Sequence, residues 1–383
     1  MKPRAGSKAL IREINEALIL DILRTQAPVS RATVATQTGL SAASVTGITG
    51  KLIRGGLVVE TETVRDTGGR PARLLELGLD GVFAAGVRLS PTEALAVVVD
   101  LRGGVVSTHR ESLASTDPAD AAEAVGNAVR QAAGGKLSQL IGVGVTLSGI
   151  VDQASGVVRH SGALGWADVS FQALLEDVLG EAVVIDSYAN AYARGLLFDG
   201  SFTVSELLVF SVGMSLGAAV VVEGRIQPGF NGSAGGFAHS RAITGAEPVR
   251  LCHCGAEDCL ETRGSLWGMR HAIERSGGTA RAIDHELDHE VISKAAWHLG
   301  VGMANVAKVL GPEKVVVGFA PEARLGTFAE QTKESFLRQY EHSNTPAPQL
   351  ETTVTDHVAL ARGAACSVLG GLFTARESQE RSA

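Results

Sequence analysis

The stretch GGFAHSRAITGAEPVRLCHCGAEDCLE, residues 235–261, carries the pattern that decides the fold. Three of the four cysteines in the chain, Cys252, Cys254 and Cys259, lie within eight residues, and His239 lies shortly upstream. Three thiolates and one imidazole complete the tetrahedral shell that Zn²⁺ takes in structural sites. The spacing therefore predicts a structural zinc site that shapes a loop over residues 239–261.

A shell closed by four protein ligands leaves no position for an activated water, so we expect this metal to hold the loop in shape and not to catalyse. Two alternatives stay open on these residues alone. His253, between the first two cysteines, could take the fourth position, or the thiols could lie unliganded in a loop. The remaining thiol, Cys366, lies in the small-residue run GAACSVLGG, which is typical of a buried helix.

Length and composition indicate a globular protein of more than one domain. The chain has 383 residues, of which 45% are hydrophobic and 20% are charged. Its apolar runs are too short to cross a bilayer, and its start lacks the apolar segment and cleavage site of a signal peptide. The sequence therefore predicts a cytoplasmic protein without membrane partners, and a reducing compartment suits thiolate ligands.

Charge is distributed unevenly along the chain. Residues 1–75 carry eleven Lys or Arg against six Asp or Glu, a net charge of +5, whereas the whole chain carries −7. The residues after position 75 must then carry −12. A basic head on an acidic body is the balance expected of a DNA-binding module attached to a regulatory domain.

The basic head has the pattern of a helix-turn-helix. A first helix is predicted over residues 10–23, because apolar residues recur there at helical spacing: Leu10, Ile14, Leu18, Ile19, Ile22 and Leu23. Ser30 is placed to cap a second helix over residues 31–38, which Gly39 closes in a left-handed conformation. Ser41 caps a third helix, the candidate for the major groove of DNA.

The outer face of the third helix is small and polar, so it can approach base edges closely, while cations near its end can reach phosphates. Two strands follow, over residues 57–64 and 68–77, and form the wing of a winged helix. A Gly-Arg-Pro segment in this wing suits the minor groove of A·T-rich DNA. The predicted DNA contacts are Ser41, Ala42, Ser44, Thr46, Thr49, Lys51, Arg54, Arg65, Arg70 and Arg73. A helical dimerisation module with solvated charges is the alternative interpretation.

Strands and helices alternate beyond Leu77. The runs AAGVRLS, EALAVVVDL, GVVSTHRES, LIGVGVTLSG and AVVID indicate strands, and residues 117–133 indicate a helix. A second set begins at Glu206 and ends with the strand KVVVGFA. Duplicated α/β lobes with glycines at the strand turns predict an actin-like, two-lobed fold of the ribonuclease H-like kind.

On these stretches the chain resembles the ROK family of repressors, uncharacterised frames and sugar kinases, over nearly its whole length. The best-matching stretches are GVGVTLSGIVD, ANAYARGLL, GMSLGAAVVVEGRIQPG, the metal segment and ARGAACSVLGG. The resemblance implies a winged helix-turn-helix over residues 1–78 and a sugar-kinase-like domain over residues 79–383. Lobe one would span about 79–190 plus the C-terminal helix, and lobe two about 191–355. The resemblance also implies that His239 is the fourth zinc ligand and touches the sugar.

Positions that serve phosphoryl transfer in the kinases of that family are changed here. Their D-x-G-G-T turn, whose amides cradle phosphate, is replaced by a segment in which Arg88 reverses a charge and Pro91 has no amide hydrogen. Their catalytic aspartate is replaced by Tyr188, and a phenol with a pKa of about 10 is a poor base near neutrality. Phe319 replaces the second glycine of a pair that accommodates adenosine, and we expect it to obstruct that site. These departures predict that the chain is not an enzyme.

The resemblance places an effector pocket between the lobes, with only part of the sugar contacts kept. Ala163 and Gly236 stand where the kinases have an asparagine and a glutamate. Glu261 keeps its identity, although pairing with Arg263 inside the loop is an alternative role. The candidate effector-binding residues are His239, Glu261, Ser187, Tyr188 and Asn190.

Together these features predict a bacterial transcriptional repressor of carbohydrate metabolism, of the branch typified by regulators of xylose, N-acetylglucosamine and glucose metabolism. It would act as a homodimer or homotetramer on palindromic, double-stranded operator DNA. A sugar or sugar-phosphate effector would favour one interlobe angle and so change the spacing of the paired recognition helices. The alternatives are an ATP-dependent sugar kinase with an extra domain and a regulator that no longer binds sugar.

Overall fold

The first six elements form a module of three helices and a three-stranded antiparallel sheet of order β1-β3-β2. They are α1 (Lys8–Gln26), β1 (Val29–Ser30), α2 (Arg31–Thr38), α3 (Ala42–Arg54), β2 (Val58–Val64) and β3 (Ala72–Leu77). This order is that of a winged helix-turn-helix. The computed structural model describes residues 8–64, 72–200, 204–242, 245, 247–275, 277, 289–324 and 326–374. Arg65 and Arg70 lie outside the described residues.

Capping sets the helix boundaries in this module. The Ser30 hydroxyl accepts a hydrogen bond from the amide of Thr33, and Gly39 ends α2 with a φ of 69°. The Ser41 hydroxyl accepts a hydrogen bond from the amide of Ser44 at the start of α3. The predicted caps are confirmed, because a short hydroxyl and a left-handed glycine satisfy the groups that helix ends leave unpaired.

The buried face of α1 is shorter than predicted. Ile19 and Leu23 are fully buried, but Ile14 and Leu18 are 40% and 41% exposed. Burial along α1 is confined to positions 17–23, where the helix packs on the rest of the molecule. The apolar spacing therefore predicted the helix correctly and its packed length wrongly.

Lobe one is built on a five-stranded sheet of order β11-β7-β4-β5-β6, with a small β10-β9-β8 sheet beside it. Its elements are β4 (Phe83–Leu89), β5 (Glu93–Val99), β6 (Val105–Ser112), α4 (Pro118–Ala133), β7 (Leu140–Leu147), β8 (Ile150–Asp152), β9 (Val157–Ser161), β10 (Trp166–Val169), α5 (Phe171–Leu179), β11 (Val183–Ser187) and α6 (Tyr188–Phe198).

Lobe two is built on a second five-stranded sheet, of order β14-β13-β12-β15-β16. Its elements are β12 (Leu207–Val212), β13 (Leu216–Val222), β14 (Arg225–Ile226), α7 (Glu261–Gly264), α8 (Leu266–Arg275), α9 (His289–Leu310), β15 (Lys314–Phe319), α10 (Phe328–Arg338) and β16 (Gln349–Val354). The chain then ends its described part with α11 (His357–Phe373), which returns to the sheet of lobe one.

The two sheets share one topology. In each, three antiparallel strands are followed by two strands that join in parallel: β7 and β11 in lobe one, β15 and β16 in lobe two. The duplicated α/β fold is thereby confirmed. Within the described part of the chain, no helix combines the length and apolarity needed to span a bilayer.

Glycines let α11 approach its neighbours closely. A Cβ atom on Gly144 of β7 would overlap the carbonyl of Ala364, and one on Gly363 of α11 would overlap the carbonyl of Ala191 in α6. The helix therefore lies backbone to backbone between the sheet and α6. This contact holds the end of the chain against lobe one.

The front module shares a hydrophobic core with lobe one. Leu23 of α1 and Leu75 of β3 belong to the same buried cluster as Val97 of β5 and Leu369 of α11. All four side chains are fully buried. The winged helix is therefore packed directly on the back of lobe one.

A cation reinforces this contact. Arg24 of α1 donates a hydrogen bond from Nη1 to the carbonyl oxygen of Phe198, at 2.5 Å. Its guanidinium lies 5.3 Å from the ring centroid of Phe198 and 5.6 Å from that of Phe373. Arg24 thus joins α1, α6 and α11 at one point.

Candidate metal centre and interlobe cleft

The predicted metal ligands converge. One ligand atom from each of His239, Cys252, Cys254 and Cys259 lies within 4.8 Å of the others. His239 Nδ1 is 3.7 Å from Cys252 Sγ, and Cys254 Sγ is 3.6 Å from Cys259 Sγ. Ligands at zinc bonding distances in a tetrahedral shell are about 3.6–3.8 Å apart, so the spacing fits such an ion. This cluster can hold a metal ion.

Buried charges fix the loop that carries the thiols. Asp258 accepts hydrogen bonds from the amide of Arg250 at 3.0 Å and from the guanidinium of Arg263 at 2.5 Å. Arg263, whose side chain is fully buried, also donates to Glu247 at 2.6 Å. Arg263 therefore pairs with Asp258 and Glu247. The alternative prediction, a pair between Glu261 and Arg263, was wrong.

His253 lies beside the ligand cluster and not in it. Its ring centroid is 5.4 Å from that of His239 and 4.9 Å from that of Trp267. Its ring also packs so closely on Gly162 that a Cβ atom there would overlap it. The geometry favours His239 as the fourth ligand and places His253 in the cleft wall.

A cavity of about 610 Å³ opens between the lobes, the size of a small-molecule pocket. Arg88, His160, Ser187 and Tyr188 of lobe one and His239, His253, Glu261 and Trp267 of lobe two are among its lining residues. The metal cluster therefore borders the cleft through His239. Burial, and to a smaller extent the nearby charge of His160, lower the pKa of His239, which favours the neutral, metal-binding form.

Glu261 begins α7, two residues after Cys259, and is buried at the cleft. Its Oε2 accepts a hydrogen bond from the amide of Leu216 at 2.8 Å, and its buried Oε1 has no hydrogen-bond partner among the described residues. Burial raises the pKa of Glu261 to about 8, against the opposing effect of the Leu216 amide. The carboxyl can therefore offer both a donor and an acceptor to a ligand hydroxyl near neutrality.

Tyr188, the first residue of α6, lines the cleft. Its hydroxyl donates to the carbonyl oxygen of Leu89 at the end of β4, and Arg88 lies over its ring, 5.3 Å from the centroid. Burial raises the pKa of Tyr188. A phenol that stays protonated and already donates its hydrogen cannot take a proton from a sugar hydroxyl.

Ser187 and Asn190 both have structural partners. Ser187 caps α6 by accepting from the amide of Asn190, at 3.3 Å, and also lines the cleft. The side chain of Asn190 donates to Asp186, at 2.7 Å, and does not line the cleft. The predicted effector contact of Asn190 is therefore corrected to support of Asp186, a buried carboxyl whose pKa is raised by its burial.

Phe319 does not reach the interlobe cleft, and its predicted effect on an adenosine site stays a prediction. It is buried in the core of lobe two, 5.7 Å from the ring of Phe328, and does not line the cleft. Phe319 is the last residue of β15, and its side chain lies on the core-facing side of the sheet. It therefore does not obstruct the cleft.

Sequence reasoning missed several residues of the cleft. His160 stacks with His253 at 6.5 Å, and its buried Nε2 has no partner among the described residues. His357, at the start of α11, lies 3.8 Å from Glu93 of lobe one and 3.7 Å from Glu322 of lobe two. Isolated histidines and carboxylates far apart in sequence carry no pattern, although the glycine at 162 marks a close approach.

The predicted DNA-reading face of α3 is largely exposed, with one exception. Exposed residues are Ser41, Ala42, Ser44, Thr46, Lys51 and Arg54. Thr49 is fully buried; its hydroxyl donates to the carbonyl of Val45 and accepts from Arg31 Nε. Its placement on the outer face was wrong, because Thr49 lies on the same side of the helix as Val45 and Leu52.

Two predicted phosphate contacts pair within the module. Lys51 lies 2.7 Å from Glu16 of α1, and Arg73 lies 2.6 Å from Glu60, which also pairs with Arg31. Hydrogen bonds from Arg73 and then from Arg31 lower the pKa of Glu60. These exposed pairs are weak, so phosphates can compete for both cations.

Comparison with known proteins places this geometry in a family. Residues 84–369 match the model described as "ROK family". A putative xylose repressor of Caldicellulosiruptor sp. (strain Rt8B.4) is 27% identical, covering 90% of this chain and 94% of the relative. The DNA-binding transcriptional dual regulator NagC of Escherichia coli (strain K12) is 28% identical, covering 82% of each chain. The crystal structure of a ROK family transcriptional regulator, a homologue of the E. coli MLC protein, superposes with a TM-score of 0.75 at 20% identity, covering 95% of this chain and 98% of that one.

Proposed function

The chain belongs to the ROK family, and we propose that it is a DNA-binding transcriptional regulator, a repressor of carbohydrate metabolism. The observation that best supports this proposal is the module that precedes the family domain. Residues 84–369 match the family, whereas α2, Gly39 and the capped α3 precede them and expose a small, polar helix face. The repressor and regulator relatives, which cover nine-tenths and four-fifths of this chain, support the same function.

Zinc is the ion that we assign to the four-ligand cluster. A Cys₃His set with near-tetrahedral spacing suits Zn²⁺, and four protein ligands make the site structural. Bound zinc would fix the loop, while the protein places His239 and Glu261 at the cleft. Their positions supply the effector pocket with one imidazole edge and one carboxyl.

The cleft would bind a sugar or sugar phosphate without transferring phosphate. Tyr188 is hydrogen-bonded where a base is needed, and Pro91 offers no amide hydrogen at the cleft edge. Binding would then favour one angle between the lobes. In a homodimer or homotetramer on a palindromic operator, that angle would set the spacing of the two α3 helices.

A combined ligand and kinase assay tests this function. Purified protein is heated with monosaccharides and with their phosphates, and a specific binder raises the melting temperature by mass action. Glu261→Ala should remove that shift, whereas Glu341→Ala, in an exposed turn after α10, should keep it.

The same panel with ATP should yield no sugar phosphate. Turnover that disappears in Glu261→Ala would establish a sugar kinase instead. A melting temperature that no sugar moves, together with operator binding, would establish a regulator that has lost its sugar.

A further inference from the structure

A second cavity, of about 670 Å³, lies within lobe two between the metal loop, α8 and α9. We refer to it as the α8–α9 cavity. Its walls combine apolar surface from Val249, Met269 and Ile273 with charged side chains. It shares only part of its lining with the interlobe cleft, through Trp267.

Four cations and two carboxylates, Glu247 and Glu290, line this cavity, so its charged lining has a net positive charge. Arg250 of the metal loop and Lys294 of α9 line the cavity together with Arg275. Lys294 pairs with Glu290 at 2.6 Å, whereas Arg250 makes its side-chain hydrogen bond to a neutral acceptor, the carbonyl of Thr262, at 2.8 Å. A guanidinium has five N–H donors, and this bond engages one of them.

One buried lining residue, His298, has an unsatisfied polar atom. His298 is 3% exposed, and its Nε2 lies 3.3 Å from Glu247. Its Nδ1 is buried and has no hydrogen-bond partner among the described residues. With Nε2 donating to the Glu247 carboxylate, Nδ1 is an acceptor, and leaving it unpaired is costly, so a ligand group that donates a hydrogen bond would satisfy it.

We propose that the α8–α9 cavity binds a small organic anion, a phosphate or carboxylate on an apolar body. Arg250 and Lys294 bind the anionic group, and Met269 and Ile273 contact the body. The ligand would contact the metal loop through Arg250, which belongs to that loop because its backbone amide donates a hydrogen bond to Asp258.

Trp267 couples this site to the cleft. It lines both cavities, and its ring lies 4.9 Å from His253 on the cleft side and 5.0 Å from His271. A ligand that moves Trp267 therefore changes the cleft wall as well.

Titration of the full, metal-loaded chain with phenyl phosphate and with benzoate tests the proposal, at ionic strength balanced with KCl. Tryptophan fluorescence and melting temperature are followed together. We expect saturable binding of at least one probe, weakened at least about tenfold in Arg250→Gln and severalfold in Lys294→Gln. Lys294→Gln keeps the proposal testable if Arg250→Gln releases metal, because Lys294 lies half-exposed on α9.

Arg338→Gln is the matched control, since Arg338 also pairs with a glutamate four residues earlier in its helix but lies on α10. It should bind like the wild type. Saturable binding that Arg88→Gln abolishes and Lys294→Gln leaves intact would move the anion to the interlobe cleft and overturn the proposal. Absence of saturable binding of both probes would overturn it as well.

Discussion

At the scale of single residues, the four cysteines divide into three that belong to the metal cluster and one that does not. Cys254 is exposed yet lies 3.6 Å from the buried Cys259, a distance that suits two ligands of one ion. Cys366 is buried in α11, away from the cluster.

Replacing Cys254 by Ser should therefore remove bound zinc, because the shell loses a thiolate. Metal content measured by plasma emission should fall from about one ion per chain toward zero. Cys366→Ser should retain the ion, although it loses stability in a packed helix. Full zinc content in Cys254→Ser would refute the assigned shell.

Glu60 forms ion pairs with Arg73 of the wing and with Arg31 of α2, and its carboxylate offsets their positive charge. Glu60→Gln should release Arg31 and Arg73 toward phosphate and steepen the salt dependence of DNA binding by about one to two units of log–log slope. Anisotropy titrations over a range of KCl concentrations measure this slope. Glu330→Gln, in the first turn of α10, is the control of equal charge change. Equal slopes in the two variants would contradict a role for the wing.

The same pairing has a pH dependence with a definite sign. The pKa of Glu60 is lowered by Arg73 and Arg31, so the pairs are present above its ordinary value of 4.5 and are lost as pH falls. Wild-type affinity for DNA should then rise toward that of Glu60→Gln on acidification. An unchanged difference between the two proteins would contradict the pairing.

At the scale of elements, the burial of α11 could be predicted from its sequence, but its contacts with neighbouring backbone could not. Its run of small residues predicted a buried helix, and the structure confirms this for Cys366 and Ala365. The reason that the residues are small, contact with the backbone of β7 and α6, depends on tertiary neighbours and has no local signature.

Two glycines of α11 provide a matched test of that packing. Gly363→Ala should destabilise the protein by about 1–3 kcal/mol or more, since its Cβ atom would overlap the carbonyl of Ala191. Gly370→Ala in the same helix meets open space and should be neutral or stabilising by up to about 1 kcal/mol. Denaturant titration measures both, and equal effects would contradict the close approach.

Local signals predicted most of the other elements. Ser30, Gly39 and Ser41 set helix ends by hydrogen bonds within a few residues, so their effects can be read from sequence. Thr49 and Asn190 were misplaced because a polar residue at a helix face can turn to a buried partner. The cleft wall of His160 and Trp267 forms only when the two lobes meet.

At the scale of the whole molecule, most of the described buried side chains of the front module belong to one cluster with those of lobe one and α11. The module's helix α1 packs with β5 and α11, so movement of lobe one must carry the winged helix with it. Arg24 sits at this contact, with its guanidinium on Phe198 and Phe373.

Arg24→Ala should weaken the coupling between ligand and DNA. The ratio of DNA affinities with and without a cleft ligand should shrink severalfold, while zinc content and ligand affinity stay unchanged. Arg12→Ala, on an exposed part of the same helix, is the control and should keep the ratio. A ratio unchanged in Arg24→Ala would place the coupling elsewhere.

Selection of genomic fragments by the purified protein tests the central claim most directly. The account predicts enrichment of a few fragments that share a palindromic site, and loss of this enrichment when Ser44 and Arg54 on the exposed face of α3 are replaced by Glu. Equal recovery of all fragments by the wild type and the variant would contradict a DNA-reading function.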